Sequence, residues 1–144
     1  MKNKINELKT KFLSISQNES LARIIVSGFV INYKITPEEL ADIKTSVSEA
    51  VTNCIVHAYK NTVGYITMNL KMFDDMTLYI SISDKGCGID NIKKAMEPFY
   101  TTDKENERTG MGFAIMQSFN DKVKVNSRIN KGTTVIMIKK LCQK

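Results

Sequence analysis

Residues 36–58, TPEELADIKTSVSEAVTNCIVHA, decide how this chain folds. Thr36 and Glu39 have the spacing of a capping box, and Pro37 stands at the first helical position, where its missing N–H leaves nothing unpaired. Apolar residues then recur at Leu40, Ile43, Val47, Ala50, Val51, Cys54, Ile55 and Ala58. That is the period of a helix with one face on a core, and it predicts a single long helix through the segment. Glu49 and Asn53, four residues apart, fall together on the opposite side, flanked by Ser46, Thr52 and His57. A purely solvated face favours Lys, Glu and Arg over Asn and Thr, so this polar side has the composition of a site.

Working outward, the alternation over Lys9–Ser16 predicts a strand, and the apolar-rich run Leu21–Tyr33 a helix entered from Asn18-Glu19-Ser20. After the long helix, strands are predicted at Tyr65–Phe73 and Thr77–Ser83 around the tight Asp74-Asp75-Met76 connection. A glycine-bearing loop leads to a short helix near Asn91–Met96. The polar stretch Pro98–Thr109 reads as mobile, and Gly110–Phe119 as a further helix. Strands at Lys122–Arg128 and Thr133–Lys139 flank an Asn130-Lys131-Gly132 turn. This order predicts an α+β fold, a two-layer sandwich of a mixed sheet with helices on one face. Residues 1–144 read as one domain.

Composition narrows the function. With 42% hydrophobic and 25% charged residues and two prolines, disorder and low-complexity classes are excluded. No apolar run reaches the roughly 18 residues of a membrane span, and the opening MKNKINELKTKF lacks the apolar core of a signal peptide, so a cytoplasmic protein with no membrane contact is expected. The three cysteines, Cys54, Cys87 and Cys142, are too scattered for zinc or a disulfide framework. The net charge of +6 comes from 18 lysines and 3 arginines, mostly dispersed. Arginine is the side chain that reads phosphate and base edges in a bidentate manner, so direct nucleic-acid binding is not expected. A basic balance would equally help a partner-binding protein meet an acidic surface.

Several nucleotide motifs are missing. There is no G-x-x-x-x-G-K-[ST] loop, no dinucleotide fingerprint, and neither H-R-D nor D-F-G. What is present is less common. Four of the seven glycines form two G-x-G pairs, each at a junction of loop and helix. Ser83-Asp84-Lys85-Gly86-Cys87-Gly88-Ile89 leaves a strand with a carboxylate just before bare backbone. Arg108-Thr109-Gly110-Met111-Gly112-Phe113 opens a helix, where free N–H groups and the dipole favour a phosphate. Either pair alone is weak; Glu-x-x-x-Asn, then D-x-G-x-G, then G-x-G at a helix start, in that order, is a specific combination.

These three elements resemble the N, G1 and G2 boxes of the Bergerat-fold (GHKL) ATP-binding domains. The stretches SISQNESLAR (14–23), VSEAVTN (47–53) and RTGMGF (108–113) are similar to the anti-sigma-factor serine kinases, above all those of sporulation sigma-F. The general-stress anti-sigma-B kinases are the nearest alternative branch, and His57-Ala58-Tyr59 stands where the sigma-F branch has His-Gly-Tyr. The resemblance implies an ATP- and Mg²⁺-dependent kinase that phosphorylates a serine of an anti-anti-sigma protein. In its ATP-bound state it would hold a sporulation sigma factor inactive, and it would act as a homodimer. It implies Asn53 as the Mg²⁺ ligand and Glu49 as general base or orienter of the reacting hydroxyl. Asp84 would accept from the adenine amino group, and Gly86 and Gly88 would let backbone approach the nucleotide. Gly110, Met111 and Gly112 would meet the phosphates, with Thr101, Thr102 and Arg108 closing over them as a lid and Thr133 completing the set. Arg23 is implied as a partner-binding residue. His57 reads as packed rather than as a phosphoacceptor, because histidine kinases carry that residue in a separate helical domain. A non-catalytic nucleotide-gated binding module is the alternative class, and the retention of both Glu49 and Asn53 argues against it.

Overall fold

The computed structural model describes residues 2–96 and 112–141. Its elements run β1 (Lys4–Leu13), α1 (Gln17–Val30), α2 (Pro37–Asn53), β2 (Tyr65–Phe73), β3 (Thr77–Asp84), α3 (Ile92–Ala95), α4 (Gly112–Phe119), β4 (Lys122–Arg128) and β5 (Gly132–Lys140). The five strands form one sheet in the order β1-β2-β3-β5-β4.

The sheet is antiparallel at every pairing, not mixed as expected. The helices between β3 and β4 have the look of a parallel crossover. They are one: β4 runs parallel to β3. It lies on the far side of β5, however, which turns back through the tight Arg128–Gly132 hairpin and occupies the slot between them.

Alternation sets the layers. Ile66, Met68, Leu70 and Met72 of β2, Leu78, Ile80 and Ile82 of β3, and Val135 and Met137 of β5 are all buried on one sheet face. Against them pack Ala22, Val26, Phe29 and Val30 of α1, Ile43, Val47, Ala50 and Val51 of α2, and Met116 of α4. Each Val, Leu, Ile, Phe or Met among them contributes roughly 1.5–3 kcal/mol relative to exposure, which makes this layer the main source of stability. The other face carries Lys9, Lys11, Thr67, Asn69, Lys71, Tyr79, Ser83 and Thr134, in register across the strands. There the Lys11 ammonium lies 4.5 Å from the Tyr65 ring centroid and that of Lys71 lies 4.9 Å from Tyr79.

β1 starts five residues before its predicted start. A bulge between Lys4 and Asn6 breaks the alternation there, and an edge strand carries polar residues that hide its period. α1 likewise begins at Gln17 rather than Leu21, its entry held by Asn18 Nδ2 donating to the Leu13 carbonyl at 2.9 Å. β2 and β4 coincide with their predicted bounds. Cys54 and Cys87 are free thiols, one buried and one exposed; Cys142 lies outside the described residues.

α2 starts as its sequence dictates. Glu39 N–H donates to Thr36 Oγ1 at 3.0 Å, and Thr36 N–H donates to Glu39 Oε1 at 3.0 Å. Thr36→Ala leaves one helix N–H unsatisfied and is expected to cost about 1 kcal/mol, lowering Tm by about 3 °C in thermal denaturation. An unchanged Tm would mean that the Glu39 half of the box suffices.

Candidate functional site

α2 presents Glu49 and Asn53 one turn apart, both half-buried. They face the first residue of α4. A Cβ built on Gly112 would lie 3.3 Å from Glu49 Oε2 and 3.4 Å from each of Asn53 Oδ1 and Nδ2. Two oxygens from one helix thus converge on the start of another, whose leading N–H groups and dipole favour an anion. The far end of α4 is tied to α2 by Asn120, whose Nδ2 donates to Met116 O at 2.8 Å and to Ser46 Oγ at 3.1 Å. Ser46 and Thr52 are therefore buried packing residues of α2 rather than members of its polar face.

The helix does not continue regularly to Ala58. At Cys54 it widens into a π turn, Cys54–Ala58, closed by Tyr59 N–H donating to Cys54 O at 3.0 Å. Such wide turns are frequent at functional sites. Asn53, which ends α2, faces Gly112; Cys54, which opens the π turn, faces Asp84.

Asp84 continues the inward parity of Leu78, Ile80 and Ile82, so its carboxylate enters the core face of the sheet and is only 8% exposed. Its Oδ1 accepts from Gly86 N–H at 2.9 Å and from Thr133 N–H at 3.2 Å, and its Oδ2 from the Cys54 thiol at 3.4 Å. Burial pushes the Asp84 carboxyl above its ordinary pKa, against the downward pull of those donors. Burial, and then the neighbouring carboxylate, push the Cys54 thiol well up. Thr133, directly across the ladder from Asp84, is also buried, and its hydroxyl is 2.7 Å from Ser127 Oγ.

The loop leaving β3 owes its glycines to close packing. A Cβ on Gly86 would meet the Ala58 carbonyl oxygen at 2.3 Å, and one on Gly88, at φ +78°, the Arg128 carbonyl oxygen at 2.2 Å. Bare backbone is required at both positions by this chain's own carbonyls. Cys87 N–H donates to Ala58 O at 3.1 Å, and Lys85 N–H to the Tyr59 hydroxyl at 2.6 Å, so loop and π turn form one unit. Burial raises the Tyr59 phenol, which stays protonated and donates to Tyr65 O at 2.8 Å. Cys54 carries no sequence signal beyond helical spacing, and Tyr59 none beyond its place in the His57-Ala58-Tyr59 stretch.

Arg23 lies apart, on the outer side of α1. Its Nη2 is 3.2 Å from Glu19 Oε2 and donates to Ser20 Oγ at 3.2 Å, while Glu19 Oε1 accepts from Ser48 of α2. Arg23 lines an open cleft of about 540 Å³ with Ser20, Ile24, Ser27, Ile31 and Lys44. Ile24 and Ile31 are 68% and 60% exposed. Thr101, Thr102, Arg108, Gly110 and Met111, like the whole stretch expected to be mobile, lie outside the described residues.

Comparison with known proteins bears on the family and the fold. The family model of the histidine kinase-like ATPase domain matches residues 16–139. A relative from Caldanaerobacter subterraneus subsp. tengcongensis, named anti-sigma F factor, is 52% identical over 134 residues, 93% of each chain. Another of that name from Clostridium acetobutylicum is 49% identical over 135 residues, 94% of each chain. The solved RsbU and RsbW domains of a Mycobacterium tuberculosis protein superpose with TM-score 0.69 at 16% identity, over 94% of this chain and 32% of that one. A blue-light activated histidine kinase domain from Erythrobacter litoralis gives 0.52 at 23% identity, over 72% and 45%. Those two structures bear on the fold alone. The chain belongs to the histidine kinase-like ATPase domain family and, within it, to the anti-sigma F factor family.

The raised Asp84 pKa has a consequence for stability. A carboxyl that titrates higher folded than unfolded opposes folding when ionised; the opposition is full above the folded pKa and gone below the ordinary carboxylate range. Asp84→Asn is therefore expected to raise Tm near pH 7, with the gap to wild type closing as pH falls toward 4. Thermal melts across that range check it. A variant melting below wild type at pH 7 would show that the carboxylate's hydrogen bonds outweigh its burial.

Proposed function

We propose that this chain is a single-domain, cytoplasmic, homodimeric protein serine kinase that uses Mg-ATP to phosphorylate an anti-anti-sigma protein and, with ATP bound, captures a sporulation sigma factor. The observation that carries the reading is the convergence of Glu49 and Asn53 on Gly112, with the buried Asp84 one residue's reach away through Cys54. The relatives named anti-sigma F factor supply the biological setting.

In this reading the Asp84 carboxylate accepts from the adenine amino group. The N–H groups at the start of α4 meet the phosphates, as does the glycine-rich segment 110–112. Among the described residues no group of three or more His, Cys, Asp or Glu side chains gathers to hold a metal by itself. Mg²⁺ needs no such cage when phosphates and waters supply most of its ligands, and the Asn53 amide oxygen, beside Glu49, is a hard donor of the required kind. When bound, the ion neutralises phosphate charge. Glu49 then takes the proton from the substrate serine as that oxygen forms its bond to the γ-phosphorus and the bond to the ADP oxygen breaks.

Partner capture is assigned to the cleft on α1. Exposed Ile24 and Ile31 beside the cations Arg23 and Lys44 fit a partner segment with apolar and acidic residues. Ser48, next to Glu49, holds Glu19, and Glu19 holds Arg23, so the two functions share a hydrogen-bonded route between helices.

Glu49→Gln is expected to keep nucleotide and sigma-factor binding while lowering serine phosphorylation by roughly 10²- to 10⁴-fold, read with labelled ATP and a purified anti-anti-sigma protein. Near-normal transfer would remove Glu49 from the chemistry and favour a non-catalytic module. Arg23→Glu is expected to leave ATP affinity unchanged and weaken sigma-factor capture at least tenfold, about 1.4 kcal/mol, in a binding titration. Wild-type affinity in that variant would move the docking surface elsewhere.

A further inference from the structure

The two oxygens of Asp84 are unequally used. Oδ1 carries two backbone N–H donors, from Gly86 and Thr133, and is full. Among the described residues Oδ2 has one partner, the Cys54 thiol at 3.4 Å, and a thiol is a weak donor. One acceptor position on Oδ2 therefore stays open, on a carboxylate that is otherwise buried. Cys54 itself is only 4% exposed, and it follows directly on Asn53.

We propose that Cys54 is a positioning residue for the purine: its thiol pins Oδ2, fixing the carboxylate plane, while leaving that oxygen's remaining lone pair for the exocyclic amino group of adenine. The inference rests on the nucleotide reading given above. A side chain without a donor leaves Oδ2 without that restraint, Oδ1 still being held by Gly86 and Thr133, and removes one of the three contacts that favour the ionised form. A hydroxyl in place of the thiol restores the donor. Burial opposes the charge of Asp84, and among the described residues these three contacts are what supports it. The Cys54 thiol and the nearby Tyr59 phenol are both held neutral, each with its pKa raised by burial, and the remaining donors are backbone N–H groups.

The experiment uses the full chain as wild type, Cys54→Ala, Cys54→Ser and Asp84→Asn. Dissociation constants for Mg-ATP and Mg-ITP are measured by calorimetry from pH 5.5 to 8. ITP has a carbonyl in place of the amino group, so it reports phosphate and ribose contacts without the Asp84 contact. Cys54→Ala is expected to bind ATP about fivefold more weakly, within the span of a single hydrogen bond. Its loss of affinity toward acid should begin at higher pH, with ITP binding unchanged. Cys54→Ser should return both properties toward wild type. The ligand's own titration is common to all variants and cancels in the comparison. If Cys54→Ala matches wild type in affinity and pH profile while Asp84→Asn loses ATP, the role of the thiol is refuted and the nucleotide reading stands. If Cys54→Ala weakens ATP and ITP alike, the effect is general and the proposal falls. If Asp84→Asn also binds ATP as wild type does, the nucleotide reading at Asp84 fails and takes the proposal with it.

Discussion

A carboxylate that shares its strand face with Leu78, Ile80 and Ile82 has to find donors inside the protein or give up its charge. Asp84 finds them in three separate places: the loop after its own strand, the first residues of β5, and the turn that ends α2. Meeting that demand draws the three segments together. The insertion of β5 beside β3 puts Thr133 directly opposite Asp84, and the packing of the 85–88 loop on Ala58 brings Gly86 N–H underneath it. Architecture and site are in this sense a single solution to one desolvation problem.

α2 carries the rest. It is anchored at one end by a complete capping box and at the other by a change in helical pitch. Between these ends its apolar stripe is buried on the sheet and on α1, so Glu49 and Asn53 are borne on a rigid element. A polar constellation held by a packed helix keeps its geometry far better than one held by a loop. Ser48 adds a lateral connection to α1 through Glu19, which places the helix between Gly112 of α4 and the exposed α1 cleft.

Much of this was legible from residue order. Strong periodicity located α2, β2 and β4, and the capping box marked the start of α2 to the residue. Glu49 and Asn53 stand on one motif and Gly112 on another, and the fold joins them. What escaped did so for physical reasons. The antiparallel sheet depends on which slot β5 occupies, and a crossover looks the same on paper whichever strand it ends beside. The π turn keeps the apolar spacing of the helix it interrupts. Ser46 and Thr52 are polar types whose hydroxyls are small enough to bury, so residue type misplaced them on the open face. Gly86 and Gly88 are expected from sequence to let backbone approach a nucleotide; in the fold, what a Cβ there would meet is the carbonyls of Ala58 and Arg128. No pattern in one dimension distinguishes those from a ligand.

The two border strands of the sheet, β1 and β4, carry exposed Lys9 and Lys11 on one side and exposed Lys122, Lys124 and Arg128 on the other, while Lys4 of β1 is paired with Glu7. Unpaired strand edges are templates for runaway growth, and rows of like charge make two such edges repel as they approach. The surplus of positive charge that looks aimless along the chain thus guards the flanks of the sheet, favouring contacts between copies through faces and helices over a widening ribbon of strands. Because the guard is electrostatic and exposed, dissolved salt dulls it: its range shrinks to about 10 Å at 0.1 M ionic strength and to about 3 Å at 1 M.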